Sequence, residues 1–185
     1  MKFIPTELEG AFILEIERRE DERGFFARSF CKNEFEGQGL SLNVVQSNLA
    51  LSKKRGTLRG LHYQVPPAKE AKLMRCVRGA IYDVIVDLRP KSPTYLHHIG
   101  VELTADNYRA MFFPPLFGHG YQSLSDDSEV TYLVSEFYDA DCERGLRYDD
   151  PALGIHWPLP VAVISQKDAS WPLLDLASVA AETKP

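Results

Sequence analysis

Cysteine is scarce: Cys31, Cys76 and Cys142 are the three in 185 residues. Their wide spacing forms neither a C-x-x-C clamp nor a disulfide framework, so a reducing compartment, the cytoplasm, is expected. An excess of positive charge is also missing. The 21 Lys and Arg against 26 Asp and Glu leave a net charge of −5. That balance argues against a dedicated nucleic-acid or anionic-membrane binder and makes any phosphate recognition local. No stretch approaches the roughly 20 apolar residues of a membrane helix, and the start, MKFIPTELEGAFIL, lacks a long apolar signal core. Neither a G-x-G-x-x-G nor a Walker-type loop occurs, so nothing supports a nicotinamide or P-loop mechanism. The five histidines, His62, His97, His98, His119 and His156, are scattered without an H-x-H pair. Adjacent His97 and His98 would point to opposite faces of a strand, so no bound metal and no cofactor are expected.

The chain does contain many short apolar or alternating runs rich in β-branched and aromatic residues. They span Phe12 to Ile16, Phe25 to Phe30, Val44 to Leu51, Lys72 to Val77, Ile81 to Leu88, Ile99 to Leu103, Arg109 to Phe113, Tyr121 to Leu124 and Val130 to Tyr138. Gly, Pro, Asn and Asp clusters separate them, which is the pattern of an all-β domain: a sandwich, barrel or jelly roll. Helices are expected only at Lys32 to Gln38 and Leu173 to Ala181. With no repeat or low-complexity linker, residues 1–185 read as one domain. The Pro-rich segment from about 151, with Trp157-Pro158-Leu159-Pro160, is expected to pack irregularly on it.

Several polar side chains interrupt these runs. In GTLRGLHYQ (Gly56 to Gln64), Arg59 lies close to His62, and His62 shares a strand face with Gln64. By itself His62 reads first as a half-buried strand histidine bonded to a neighbour. Lys72, Asp83 and Asp87 stand in strongly apolar sequence, where a charge needs a partner or solvent. Asp87, next to Leu88-Arg89, is expected on the outer, solvated face, while Asp83 is open between the two sides. Tyr132 shares a face with Val130 and Val134 and reads alone as a core tyrosine with its hydroxyl satisfied. Ser165-Gln166-Lys167-Asp168 reads as a solvated turn whose Asp can also point inward.

Taken together, DERGFF (Asp21 to Phe26), VVQSN (Val44 to Asn48), LRGLHYQ (Leu58 to Gln64) and KLMRCVRGAIYDVIVDLR (Lys72 to Arg89) resemble the dTDP-4-dehydrorhamnose 3,5-epimerase family. So do SPT (Ser92 to Thr94), FGHGY (Phe117 to Tyr121), Tyr132, ERG (Glu143 to Gly145), GIHWPL (Gly154 to Leu159) and SQKD (Ser165 to Asp168). The resemblance implies a cupin-type β jelly roll with a few short peripheral helices, acting as a homodimer without cofactor on a dTDP-linked 4-keto-6-deoxy sugar. It further implies His62 as catalytic base oriented by Asp168, Tyr132 as acid on the opposite face of the sugar, and Lys72 stabilising the enolate. Arg23, Gln46, Asn48, Arg59, His119, Tyr138, Glu143 and Lys167 would contact substrate, with Arg23 and Phe26 reaching into the partner's site. The sequence departs from the family pattern at Arg28 (Glu in the family), Ser47 (Asp) and Pro115-Leu116 (Glu-Gly). All three changes are expected near the substrate, with Arg28 altering nucleotide preference and Leu116 reshaping the sugar pocket. The competing readings are epimerisation at C3 or C5 alone on another nucleotide sugar, a 3,4-ketoisomerase, and a non-catalytic sugar-binding cupin.

Overall fold

The computed structural model describes residues 1–175, 181 and 183. In chain order the elements are β1 (Lys2–Pro5), β2 (Phe12–Glu15), the hairpin β3 (Arg19–Asp21) and β4 (Gly24–Phe26), then α1 (Lys32–Glu36). The central run is β5 (Gln46–Ser52), β6 (Leu58–Gln64), β7 (Lys72–Arg78), β8 (Ala80–Asp87), β9 (His98–Thr104), β10 (Ala110–Phe113), β11 (Phe117–Ser123) and β12 (Ser128–Val134). β13 (Glu143–Gly145) and α2 (Gln166–Ala169) complete it. All strand pairing within the sheets is antiparallel: β1-β2-β10-β7-β12-β5 form one sheet and β13-β6-β11-β8-β9 the other. The eight consecutive strands β5 to β12 thus divide as β10-β7-β12-β5 facing β6-β11-β8-β9, the crossed-over order of a double-sheet jelly roll.

Three apolar layers hold the sheets. Between them lies a core containing Met74, Ile81, Ile85, Leu103, Met111, Phe113 and Val130. The outer face of the six-stranded sheet is covered by the α1 region, where Phe35 packs with Leu14, Leu73 and Phe112. Ile155, Trp157 and Leu174 of the C-terminal segment pack over Val84, Val86 and Leu61 on the outer face of the other sheet. Each fully buried large side chain adds roughly 1.5–3 kcal/mol.

Because β8 is covered on both faces, it has no solvated side, and this overturns the expectation for Asp87. Asp87 is fully buried. It accepts hydrogen bonds from Arg89 Nε (2.8 Å) and Nη2 (2.7 Å), Ser92 Oγ (2.5 Å) and Thr94 Oγ1 (2.8 Å). Burial pushes its carboxyl up, but these donors outweigh it and hold the group below its ordinary value. Asp83, on the same inward face, is also fully buried.

Most strand runs recur with shifted ends: β5 begins at Gln46, β12 ends at Val134, and of the run Phe25 to Phe30 only Phe25 and Phe26 are strand. Three strands were not foreseen. β3 (Arg-Glu-Asp) and β13 (Glu-Arg-Gly) have no apolar alternation and are short, and β1 is a four-residue edge strand ending in proline. The expected helix over 173–181 has no regular structure at 173–175 and otherwise falls mostly outside the described residues.

Candidate active site

The site depends on an irregularity in β6. His62 pairs with His119 across β6 and β11, and Arg59 pairs with Tyr121, so Gly60 and Leu61 together oppose the single residue Gly120. This bulge inverts the alternation and turns both Arg59 and His62, three residues apart, into the barrel. Only glycine suits position 60. Its φ is +113°, and a Cβ there would meet Gly120 Cα and the His119 carbonyl oxygen at 2.6 Å.

Around this bulge the barrel opens into a cavity of about 320 Å³, lined in part by Arg59, His62, Lys72, His119, Tyr132, Lys167 and Asp168. An adjoining hollow of about 340 Å³ shares His62, Lys72 and Tyr132 and adds Gln46, Asn48, Tyr138 and Glu143. The structure therefore gathers eleven of the anticipated residues into one cleft. His62 enters from the five-stranded sheet, Tyr132 and Lys72 from the six-stranded sheet opposite.

Asp168 comes from α2, a single turn where the sequence suggested a solvated loop. The Asp168 N–H donates to Ser165 Oγ (3.0 Å), capping that turn, and directs the carboxylate inward. Asp168 Oδ1 lies 2.7 Å from His62 Nε2, and Oδ2 accepts from the Gly60 N–H (3.2 Å). A carboxylate only accepts, so Nε2 carries a proton towards it, and in the neutral ring the lone pair lies on Nδ1. Burial pushes the Asp168 carboxyl up, yet the bond to His62, its charge, and the Gly60 and Ser165 contacts hold it below its ordinary value.

Across the cleft the Tyr132 phenol is pushed up, first by burial and second by the negative charge of Glu70, against an opposing effect of Arg59. Its hydroxyl has no hydrogen-bond partner among the described residues, so the expectation of a satisfied core hydroxyl fails: it opens on the cavity. His119 Nε2 lies 2.7 Å from Asp83 Oδ1, and its ring stacks on Phe113 with centroids 4.9 Å apart. At the rim Glu143 accepts from Lys167 Nζ (2.5 Å) and the Tyr138 hydroxyl (2.7 Å). Burial raises the Glu143 carboxyl, but these donors bring it below its ordinary value. The backbone of the 137–139 loop is tied down by Gln46 and Gln64 side chains.

Four anticipated residues lie elsewhere. Arg23 (side chain 85% exposed) and Phe26 (66%) stand on the protruding β3–β4 hairpin. Arg28 faces Glu34 Oε1 at 3.4 Å beside the chain's N-terminus. Ser47 points to the outer face of β5, because alternation places it opposite Gln46 and Asn48. Leu116 (φ +66°) lies in the turn before β11 and does not line the cleft. Glu70, Met74 and Tyr121 line the cleft without having been singled out. Strand parity with Lys72 and His119 would have found Met74 and Tyr121.

The family model for dTDP-4-dehydrorhamnose 3,5-epimerase matches residues 5–175. The chain belongs to the dTDP-4-dehydrorhamnose 3,5-epimerase family. It is 44% identical to the dTDP-4-dehydrorhamnose 3,5-epimerase of Methanothermobacter thermautotrophicus, with 92% of each chain covered. It is 38% identical to the dTDP-4-dehydrorhamnose 3-epimerase of Streptomyces niveus, covering 91% of this chain and 81% of that one. Among solved structures it superposes on the Legionella pneumophila dTDP-6-deoxy-D-glucose-3,5-epimerase complexed with dTDP-4-keto-L-rhamnose. That match has a TM-score of 0.89 and 37% identity, and covers 100% of this chain and 97% of that one. The architecture of this epimerase-family chain is the cupin jelly roll that the resemblance implied.

Proposed function

We propose that the protein inverts C3 and C5 of dTDP-4-dehydro-6-deoxy-D-glucose by proton transfer through an enolate. The observation that carries this reading is the placement of His62, backed by Asp168, and Tyr132 on opposite sheets of one cleft. Inversion needs a base on one face of the sugar and an acid on the other. The C4 ketone acidifies the hydrogens at C3 and C5. His62 Nδ1 takes one of them, and Asp168 stabilises the resulting imidazolium. Negative charge moves to the C4 oxygen, where the Lys72 ammonium offsets it. Tyr132 then returns a proton to the carbon from the opposite side, which restores the ketone with inverted configuration. Arg59 at the cavity wall suits a diphosphate through paired N–H donors. Every step is a proton transfer among residues of this chain.

The second copy of the chain completes this reading. The outer face of the edge strand β5 exposes Leu49 (67% exposed) and Leu51, an apolar edge that calls for a cover. A homodimer across this face explains why Arg23 and Phe26 stand clear of their own cleft: they serve the partner's. We place the enzyme in the cytoplasm, where its three free cysteines stay reduced.

The deciding experiment follows EDTA-treated protein with dTDP-4-dehydro-6-deoxy-D-glucose in D2O by NMR. Deuterium entering at both C3 and C5 of an inverted product is expected. Absence of exchange at either carbon would overturn the assignment, and loss of turnover restored by a divalent cation would overturn the cofactor-free mechanism. Exchange at C3 alone would give the single-centre activity carried in the name of the Streptomyces niveus relative.

A further inference from the structure

The cleft holds one carboxylate that the mechanism above does not use. Glu70 lies in the connection before β7, lines the cleft beside Lys72 and Tyr132, and places Oε2 3.0 Å from Lys72 Nζ. Both side chains are largely withdrawn from water, Lys72 14% and Glu70 11% exposed. Among the described residues Lys72 is the one ion-pair partner of Glu70. The other carboxylate of this hollow, Glu143, is already committed to Lys167 and Tyr138.

A lysine side chain has four rotatable carbons and a compact charge, so an unanchored Lys72 would sample positions several ångströms apart within a cleft of this size. A fixed anion at 3.0 Å selects one of them. The ammonium carries three N–H donors, so the ion pair leaves it able to meet an oxygen of the substrate as well. The arrangement carries an opposing effect, since a carboxylate beside the ammonium weakens the field that stabilises a developing enolate. Its benefit must therefore lie in placement.

We propose that Glu70 is a positioning residue of the epimerisation: it anchors the Lys72 ammonium where the C4 oxygen of the bound sugar receives it. The inference rests on the epimerase reading of this cleft. Glu70 has a second consequence, independent of substrate. Its negative charge helps keep the Tyr132 phenol protonated, after burial and against Arg59.

The test compares Glu70→Ala, which removes the anchor, with Glu70→Gln, which keeps its shape and an accepting oxygen without charge. For Glu70→Ala, deuterium exchange at C3 and C5 and kcat should fall by about 10²-fold, the scale of a misplaced catalytic group. KM should stay close to wild type, because the nucleotide is held elsewhere. Glu70→Gln should recover most of the loss. An alanine variant as fast as wild type, a loss confined to KM, or a glutamine variant as slow as alanine each overturns the anchoring role. Tyrosine labelled with ¹³C at Cζ supplies a readout without substrate: the Tyr132 signal should titrate at lower pH in Glu70→Gln than in wild type. An unchanged titration overturns the placement of Glu70 against the acid. Wild-type protein that exchanges no deuterium would instead remove the epimerase reading, with the tyrosine titration still deciding where Glu70 acts.

Discussion

In the proposed mechanism His62 and Tyr132 do separate halves of one inversion, so removing them should produce different failures. His62→Ala lacks the base and should neither exchange nor invert. Tyr132→Phe keeps His62, Asp168 and Lys72, so the enolate still forms and recovers its proton from the original face. Deuterium then washes in while inversion falls by roughly 10²- to 10⁴-fold. NMR in D2O reads both in one sample, and an exchange-competent His62→Ala would reverse the assignment. Asp168 carries a second expectation, about pH. Its folded-state value is depressed, so the pairing adds stability that is fully present above the unfolded value of about 3.9. That stability is lost as pH falls through the folded value below it. In urea unfolding, the margin of wild type over Asp168→Asn should hold steady from neutrality to about pH 5 and shrink below about pH 4. A margin that failed to shrink below about pH 4 would show that the carboxylate is not stabilised by its partners.

The element that makes the site is the β6 bulge rather than any regular strand. Gly60→Ala places a Cβ against backbone that cannot turn aside, at a φ that L-residues rarely adopt. It should cost about 3 kcal/mol in chemical denaturation and lower kcat further than the same stability loss placed elsewhere, because Arg59 and His62 both turn on this residue. An alanine variant with wild-type stability and rate would remove the bulge from the mechanism. The long apolar strands were legible in the sequence because their runs are bounded by turn residues. β8 was legible as a strand yet misread at Asp87, since its coverage on both faces comes from segments distant in the chain. β3 and β13 carry charge and no alternation, and take strand form only through their neighbours.

At the scale of the whole molecule, the exposed β3–β4 hairpin and the apolar β5 edge make a complementation experiment the informative one. In the proposed homodimer, Arg23→Ala and His62→Ala should each impair activity. Mixed and allowed to exchange subunits, they form heterodimers in which one cleft keeps His62 and receives an intact Arg23 from its partner, so activity should reappear. Arg23 supplied within its own protomer would give no recovery on mixing. Dissociation by dilution, followed by light scattering, should lower activity in step with the dimer fraction.

The sequence by itself determined the class of fold, through the period-two runs and their turn residues, and the identity of most of the groups that meet in the cleft, through motifs spread from Gln46 to Asp168. It did not determine which groups meet within one protomer. Arg59 and His62 share a face only because Gly60 and Leu61 bulge against Gly120. Asp168 reaches His62 only because a capped turn 106 residues downstream folds back on β6. Arg23 and Phe26 are left outside, and Glu70, silent in its loop, is brought to Lys72. These are outcomes of packing between distant segments, and strand periodicity, a local property, carries no record of them.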